Sequence, residues 1–376
     1  MVDARNSPQR IARLTPLADA IGAIDRLVPQ VAPRSVDVAA ALGCTLATAV
    51  TGEFRPLASH ALRDGWALRS EATLDAGSYG AAPLAKLPVA VEVGDVLPTG
   101  ADAVVPVDAV AFEGGAASAL VTVAPGDGVV TPGADAGRDE PLLRVGRRLS
   151  CTDLSILRAI GQSAVGVRTP RVRVAAARPD DFSNAIAALL CDAIAADGGM
   201  AIRHDPESAD AEGLDGVLLG EGADAVIVVG GSGTGERDRS VETLALVGQL
   251  AFHGVGLVPG DTAAFGLAGG RPILVLPGRF DAALAAWLVL GRHMLVLLAA
   301  RTDEDAIRPV RLTRKVSSTV GVADVIVVAR DGDGVAPLAS GYLTMRALAR
   351  ADGWILVPAD AEGYPAGASI AMRPLP

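Results

Sequence analysis

Aromatic side chains are scarce in this sequence: phenylalanine, tryptophan and tyrosine together make up only 3% of its 376 residues. Recognition by stacked aromatic rings is therefore not a main theme of any site it builds. Cysteine is scarcer still. Cys44, Cys151 and Cys191 are odd in number, far apart and never in a C-x-x-C pair. That argues against a disulfide framework or a cysteine zinc site and leaves three small hydrophobes with a habit of burial. Positive charge is in deficit, with 33 lysines and arginines against 43 aspartates and glutamates. A chain of that sign repels phosphate backbones and anionic lipid, so neither nucleic acid nor a membrane is an expected partner. No apolar h-region occurs in the N-terminal stretch MVDARNSPQRIARL, so no signal peptide is read and the cytoplasm is the expected compartment. The most apolar run, 284–300, is interrupted by Arg292 and His293, which marks a buried helix rather than a membrane span.

What is present is aliphatic. Half of the residues are hydrophobic, ample for real cores, and the length exceeds what one core usually organises. Residues 17–48 carry apolar side chains at helical spacing, with a break at Pro33. Between about 70 and 140 the character changes to short β-like runs, such as 87–93 and 119–123, heavily punctuated by glycine and proline. Residues 141–168 turn helical again, with a helix over 153–160 that ends at Gly161.

From 169 the rhythm is strand, turn, helix, strand. The segment 171–177 is a strand candidate, and a helix after Ser183 puts Ile186, Leu189, Leu190 and Ile194 on one face. Residues 225–229 form a continuous apolar strand of the kind buried on both faces, and 273–276 repeats the pattern before Pro277-Gly278 and a helix from Asp281. This is the signature of a doubly wound parallel sheet. The last stretch, 307–376, returns to short strands at 310–316, 324–329, 354–357 and 369–372, as in a small barrel or sandwich. The expected architecture is multi-domain α/β. A helical domain takes 1–50 and 141–168, a β-rich insertion 51–140, an α/β domain 169–306, and a β domain 307–376.

The strongest local signal is Gly230-Gly-Ser-Gly-Thr-Gly-Glu-Arg-Asp238, placed directly after a buried strand and before a helix. Four glycines let backbone approach a ligand closely, and a helix start supplies N–H donors and positive potential for an anion. Ligands of open parallel sheets sit at the carboxyl ends of strands, where this loop lies. The loop is not G-x-G-x-x-G, has no Gly-Lys-Ser/Thr of a P-loop, and is not a nucleophile elbow. A tight turn whose glycines serve geometry only remains the plain alternative. Two weaker signals are Arg63-Asp-Gly-Trp-Ala67, where Asp-Gly alone is usually a turn, and Gly94-Asp-Val-Leu-Pro-Thr-Gly-Ala-Asp-Ala-Val-Val105. Asp205, beside Pro206, reads as a solvated turn residue or a further acidic ligand.

In this order and spacing the segments resemble the molybdopterin molybdenumtransferase family, MoeA and the E domain of gephyrin. Ala40-Ala-Leu-Gly-Cys-Thr-Leu-Ala47 is similar to its "eAlGrvLA", Arg63–Ala67 to "mDGyA", and 97–105 to "lPxGaDaVv". Residues 146–161 follow "GxxLxxxdixlLaxxG", 230–238 resemble "GGvSxGxxD", Leu276-Pro-Gly278 opens "LPGNP", and 348–367 is similar to the closing "LxxAnglivlP…aG". The resemblance implies an elongated four-domain subunit with a central MoaB/MogA-like domain. It also implies a homodimer whose sites form between the central domain of one subunit and other domains of its partner. The implied ligand is molybdopterin or its adenylylated form, into which molybdate is inserted with a divalent cation such as magnesium (Mg2+), for a client molybdoenzyme.

Carried over residue by residue, the resemblance makes Asp64 and Asp238 the catalytic and metal-binding pair. It makes Arg63, Gly65, Trp66, Thr99, Gly230, Gly231, Ser232, Gly233, Thr234, Gly235, Pro277, Gly278 and Arg279 the pterin-binding residues. Read from the residues alone, Asp238 caps the helix after its loop.

The departures from the family pattern cluster at chemistry. Its "TGdEL" is replaced by Ala177-Arg-Pro-Asp-Asp-Phe-Ser-Asn184, and its "RIxTGA" by Val91-Glu-Val-Gly-Asp-Val96. "PGKP" becomes Pro259-Gly-Asp-Thr262, "LPGNP" becomes Leu276-Pro-Gly-Arg-Phe280, and an arginine expected near 324–329 falls in an apolar run. A carboxylate in place of a lysine opposes a dianion such as molybdate by ~4 kcal/mol at ~4 Å for an effective dielectric near 20. Two readings follow: a MoeA-like insertase, or a non-catalytic pterin carrier, chaperone or regulatory paralogue that has lost molybdate insertion.

Overall fold

The computed structural model describes residues 9–77, 80–137, 140–178, 180–204, 213–302 and 307–376. The chain divides into two compact units, Met1–Thr48 with Val145–Pro376, and Ala49–Arg144.

The larger unit is built on a six-stranded sheet. Its strands are β1 (Arg171–Ala176), β2 (Met200–Arg203), β3 (Ala225–Val229), β4 (Gly248–His253), β5 (Ala264–Ala268) and β6 (Arg271–Leu276), in the spatial order β2-β1-β3-β6-β5-β4. The first four in that order are parallel, as the sequence rhythm requires. The last two run antiparallel, a pairing the apolar runs alone do not reveal. Every residue of β3 is fully buried. Each valine or isoleucine taken out of water there contributes about 1.5–3 kcal/mol. Val172, Val174, Ile227, Leu274 and Leu276 pack on one face against helices α1 (Leu17–Leu27), α3 (Asp181–Ala196), α6 (Phe280–Ala286) and α7 (Arg292–Ala299). Val226, Val228, Ile273 and Val275 pack on the other face against α4 (Leu214–Leu219) and α5 (Ser240–Val247). Helices on both faces make the sheet doubly wound.

The segment Phe280–Ala299 is long and apolar enough to cross a membrane by length and composition, but 72% of it is buried within the fold. It is a core helix, interrupted by a π turn at Trp287–Gly291.

Residues 34–48 depart from the helical spacing of their apolar side chains. They form two short strands, Arg34–Asp37 and Thr45–Leu46, that flank the strand Ala164–Arg168, with a 3-10 turn between. β-branched Val36 pairs with Val165 there, and sheet pairing overrides the helical pattern. Helix α2 (Cys151–Ala159) forms where expected. Ser150 and Asp153 close a capping box at its start, and the buried Asp153 also takes the Arg147 guanidinium at 3.0 Å. Burial pushes the Asp153 carboxyl up, but the Arg147 and Ser150 hydrogen bonds outweigh it and hold the group below its ordinary value. Its stabilisation is therefore present above the ordinary carboxylate range and is lost as pH falls through the lowered value. Asp153→Ala is expected to lower the unfolding free energy by about 2–3 kcal/mol at pH 7 in urea titrations. The gap from wild type should close only in strong acid.

Past α7 the chain forms β7 (Ala323–Asp331), β8 (Gly334–Ala339) and β9 (Gly353–Val357), with β7 central and antiparallel to both neighbours. The short strand Leu257–Val258 joins β7 in parallel, Val258 standing opposite Asp324. The C-terminal β region is thus stitched to the loop that leads into β5.

The smaller unit is all-β among its described residues apart from two 3-10 turns. Gly65–Leu68 lies between Val89–Val91 and Ala103–Val105, and Ala116–Ala119 lies between Ala82–Pro83 and Val110–Glu113.

Candidate functional site

A cavity of about 350 Å³ opens at the carboxyl ends of β1, β3 and β6. Three of its lining segments follow these strands, and a fourth brings Asp261 and Thr262. The first is Gly230–Gly233, following β3. Gly230 and Gly231 adopt φ of 88° and 71°, the left-handed region where a side chain is strained, and a Cβ on Gly231 would meet Ser240 Oγ at 2.2 Å. The second is Pro277–Arg279 after β6. A Cβ on Gly278 would sit 3.4 Å from the Gly230 Cα, so the two turns lie back to back. The third is Ala177 to Ser183 after β1, of which Ala177, Arg178, Asp180 and Ser183 line the space.

The glycine loop is held from several sides. Ser240 Oγ donates to the Gly230 carbonyl (2.9 Å), and the buried Gln9 amide donates to the Gly231 and Gly233 carbonyls (2.8 and 2.7 Å). Ser232 Oγ is 2.9 Å from Thr262 Oγ1, and His253 Nε2 lies 2.9 Å from the Ser232 carbonyl. The loop's carbonyls are thereby occupied, whereas the N–H groups of Gly231, Ser232 and Gly233 have no backbone partner among the described residues.

Charge around the cavity is mixed. Arg279 is fixed from below: its Nε donates to Oδ1 of the buried Asp281 at 2.6 Å, its second amine reaches Oδ2 at 3.3 Å, and its guanidinium lies 5.6 Å from the centre of the Tyr342 ring. Arg178 pairs with Asp238 at 3.4 Å. Asp180 caps α3 through Ser183 N–H at 2.7 Å. The Ser183 hydrogen bonds, backbone then side chain, keep its carboxyl below the ordinary range against a small burial effect, helped by Arg178. Asp261 is exposed at the rim, in the segment that also brings Thr262.

The residues singled out in the sequence divide between the two units. Gly230, Gly231, Ser232, Gly233, Asp238, Pro277, Gly278 and Arg279 line this one cavity, while Thr234 and Gly235 stand outside the lining. Asp238 is not the cap of α5, whose N-cap is Arg239. It closes its own loop, with Oδ2 accepting from Gly235 N–H at 3.3 Å. Arg63, Asp64, Gly65, Trp66 and Thr99 belong to the smaller unit. There Arg63 pairs with Asp127 (3.0 Å), and Asp64 Oδ1 accepts from Val93 N–H (2.8 Å). A Cβ on Gly65 would strike the Val105 carbonyl at 1.9 Å, so close strand packing accounts for that glycine. Trp66 packs on Phe112 with ring centres 4.8 Å apart and donates Nε1–H to the Val107 carbonyl. Thr99 lines a separate cavity of about 370 Å³ with Arg69 and Lys86. Asp205 lies outside the described residues.

Sequence reasoning passed over Arg178, Asp180 and Ser183, which stand where the family's acidic motif is missing. The Asp180-to-Ser183 spacing at a helix start was the available signal. Gln9 carried none, since its role depends on a return of 222 residues along the chain.

The two aspartates that the resemblance gives to magnesium belong to different units, and each already accepts a hydrogen bond from a backbone N–H. Among the described residues no three histidine, cysteine, aspartate or glutamate side chains gather as a metal set. Asp238 already spends one oxygen on Arg178 and the other on Gly235 N–H.

Comparisons with known proteins agree with this architecture. Residues 15–161 match the family model of the MoeA N-terminal region (domain I and II), and residues 159–296 match the model described as a probable molybdopterin binding domain. A protein of Methanocaldococcus jannaschii that carries the name of a molybdopterin biosynthesis protein is 30% identical over 145 residues. That match spans 38% of this chain and about a third (34%) of the relative's length. The crystal structure of the molybdopterin biosynthesis moeA protein from Pyrococcus horikoshii OT3 superposes with a TM-score of 0.77 at 22% identity, covering 96% of this chain and 100% of that one. A molybdenum cofactor biosynthesis protein from Pyrococcus furiosus gives 0.63 at 17% identity over 96% and 100%. Fold and matches define a multi-domain α/β protein built around a molybdopterin-binding type of domain. More narrowly, the chain belongs to the MoeA family.

Proposed function

We propose that this chain works in molybdenum cofactor biosynthesis by holding molybdopterin, or its adenylylated form, through phosphate in the cavity between Gly230–Gly233 and Pro277–Arg279. One observation carries the reading: among the described residues the N–H groups of Gly231, Ser232 and Gly233 have no backbone partner, and Arg178 and Arg279 line the same cavity. Such donors favour an anion at the carboxyl edge of a parallel sheet. Asp180 and Asp238 are already satisfied by Ser183, Gly235 and Arg178, which softens their repulsion of a phosphate.

In this reading the chain serves the molybdate-insertion step as a four-domain homodimer that supplies a client molybdoenzyme in the cytoplasm, and no step is routed through magnesium. A second reading is a carrier that holds the pterin without inserting molybdate. It is favoured by Asp261, an exposed carboxylate on the cavity lining where the resembled motif has a lysine. Titration of purified protein with molybdopterin tests the shared claim. The expected result is saturable binding at micromolar concentration or below, weakened as inorganic phosphate is added. Binding that phosphate does not weaken would remove the phosphate-cavity reading.

A further inference from the structure

The turn that follows β8 brings two residues of the C-terminal β region to the edge of the glycine-loop cavity. The ring of Tyr342 lies under the Arg279 guanidinium, 5.6 Å from it, and Leu343 N–H donates to Asp281 Oδ2 at 3.1 Å. Leu343 is 2% exposed and shares a core with Ala283 and Leu284 of α6, so the turn is anchored where it meets that helix. Tyr342 stands next to it yet keeps 59% of its surface exposed. Burial therefore contributes little to holding an aromatic ring at this position. The contact the ring does make is with a cation that lines the cavity.

Arg279 meets the ring and a carboxylate together. Its Nε and Nη2 reach the two oxygens of Asp281 at 2.6 and 3.3 Å, while Nη1 has no hydrogen-bond partner among the described residues. A guanidinium is a rigid planar fork, so holding one edge by a carboxylate and one face by a ring sets the direction of its remaining N–H groups. An arginine free to rotate loses rotamer freedom when it meets an anion, and one already held does not. Arg178, also on the lining, is tied more loosely, through one nitrogen to Asp238 at 3.4 Å. Arg279 stands where the resembled motif has asparagine, so its charge and the groups that hold it do not follow from the family pattern.

We propose that Tyr342 and Asp281 are positioning residues of the anion cavity, holding the Arg279 guanidinium so that its Nη1 end meets a tetrahedral oxyanion at the glycine loop. Neither residue lines the cavity, so both act through Arg279. The inference rests on the proposed function above. It adds that a turn of the C-terminal β region sets the affinity of a site in the α/β domain.

Inorganic phosphate is the probe, followed by equilibrium dialysis of radiolabelled phosphate against the full chain. Arg279→Ala is expected to weaken phosphate binding about fivefold or more. Tyr342→Leu keeps apolar bulk but removes the π face, and should weaken binding about threefold, whereas Tyr342→Phe keeps the face and should stay within about 1.5-fold of wild type. In the Arg279→Ala background Tyr342→Leu should change nothing further, because the ring acts through the guanidinium. Asp281→Asn removes the ion pair and should behave like Tyr342→Leu; if that buried substitution prevents folding, the exposed Tyr342 decides. Wild-type affinity in Tyr342→Leu overturns the proposal, as does an equal loss from leucine and phenylalanine or a loss that persists without Arg279. Gly278→Val separates this inference from the reading it rests on. Phosphate binding that falls with Gly278→Val but not with the Arg279 and Tyr342 variants sinks the positioning role and keeps the glycine-loop reading. The reverse pattern moves the anion off the loop and leaves the role of Arg279 standing, and a wild type that binds no phosphate overturns both.

Discussion

Gly278→Val should lower molybdopterin affinity at least tenfold while leaving the melting midpoint within about 2 °C of wild type. Gly278 is exposed, outside the left-handed region, and lines the cavity beside Gly230. Its Cβ would make ordinary contact at 3.4 Å with the Gly230 Cα, so the fold can accept a side chain there. The branched methyl groups, however, occupy space that a phosphate needs in order to reach the loop N–H groups. A tenfold loss corresponds to about 1.4 kcal/mol, modest for displacing a charge-assisted contact. Gly231→Val is the contrasting case, because its left-handed φ and the 2.2 Å approach to Ser240 Oγ tie that glycine to the fold itself. There stability and binding should fall together. Calorimetric titration and thermal melts on the two variants separate a glycine that makes room for ligand from one that makes the turn.

Asp261→Lys should act in the opposite direction and strengthen function. The residue is exposed on the cavity lining, and exchanging a carboxylate for an ammonium reverses its effect on any dianion entering. The unscreened swing at ~4 Å and an effective dielectric near 20 is several kcal/mol, and exposure reduces it severalfold. What remains is at least tenfold in apparent molybdate requirement. In a strain lacking its own molybdenum insertase, wild type should support growth on a molybdoenzyme poorly at trace molybdate, and Asp261→Lys should support it at about a tenth of the molybdate. Full rescue by wild type at trace molybdate, with no gain from the lysine, would mean that Asp261 does not face the anion.

Much of this was readable from the chain alone, for identifiable reasons. The strand Ala225–Val229 is apolar at every position and buried at every position, because a central parallel strand meets helices on both faces. Glycines 230 and 231 announce a turn that only glycine enters without strain. The Gly230–Gly233 loop was visible for the same reason, whereas Pro277–Arg279 entered as binding residues only through the family resemblance. Residues whose role depends on distant returns were not visible. Gln9 reaches the glycine loop across the whole length of the first domains, and Asp281 orients Arg279 while accepting from Leu343 N–H at 3.1 Å. Asp324 read as the start of an apolar strand, and its burial beside hydroxyls shows only in the structure. The helical spacing of 34–48 misled, because pairing of its two short strands with Ala164–Arg168 outweighs local propensity.

The central claim is that phosphate of the pterin ligand is held by the glycine loop, and a crystal structure of the chain with molybdopterin tests it most directly. The expected electron density puts phosphate oxygens 2.7–3.2 Å from N–H groups of Gly231, Ser232 or Gly233, the ordinary hydrogen-bond range, with the Arg279 guanidinium facing them. Density for the phosphate anywhere else on the chain, with the Gly230–Gly233 cavity holding only solvent, would contradict it.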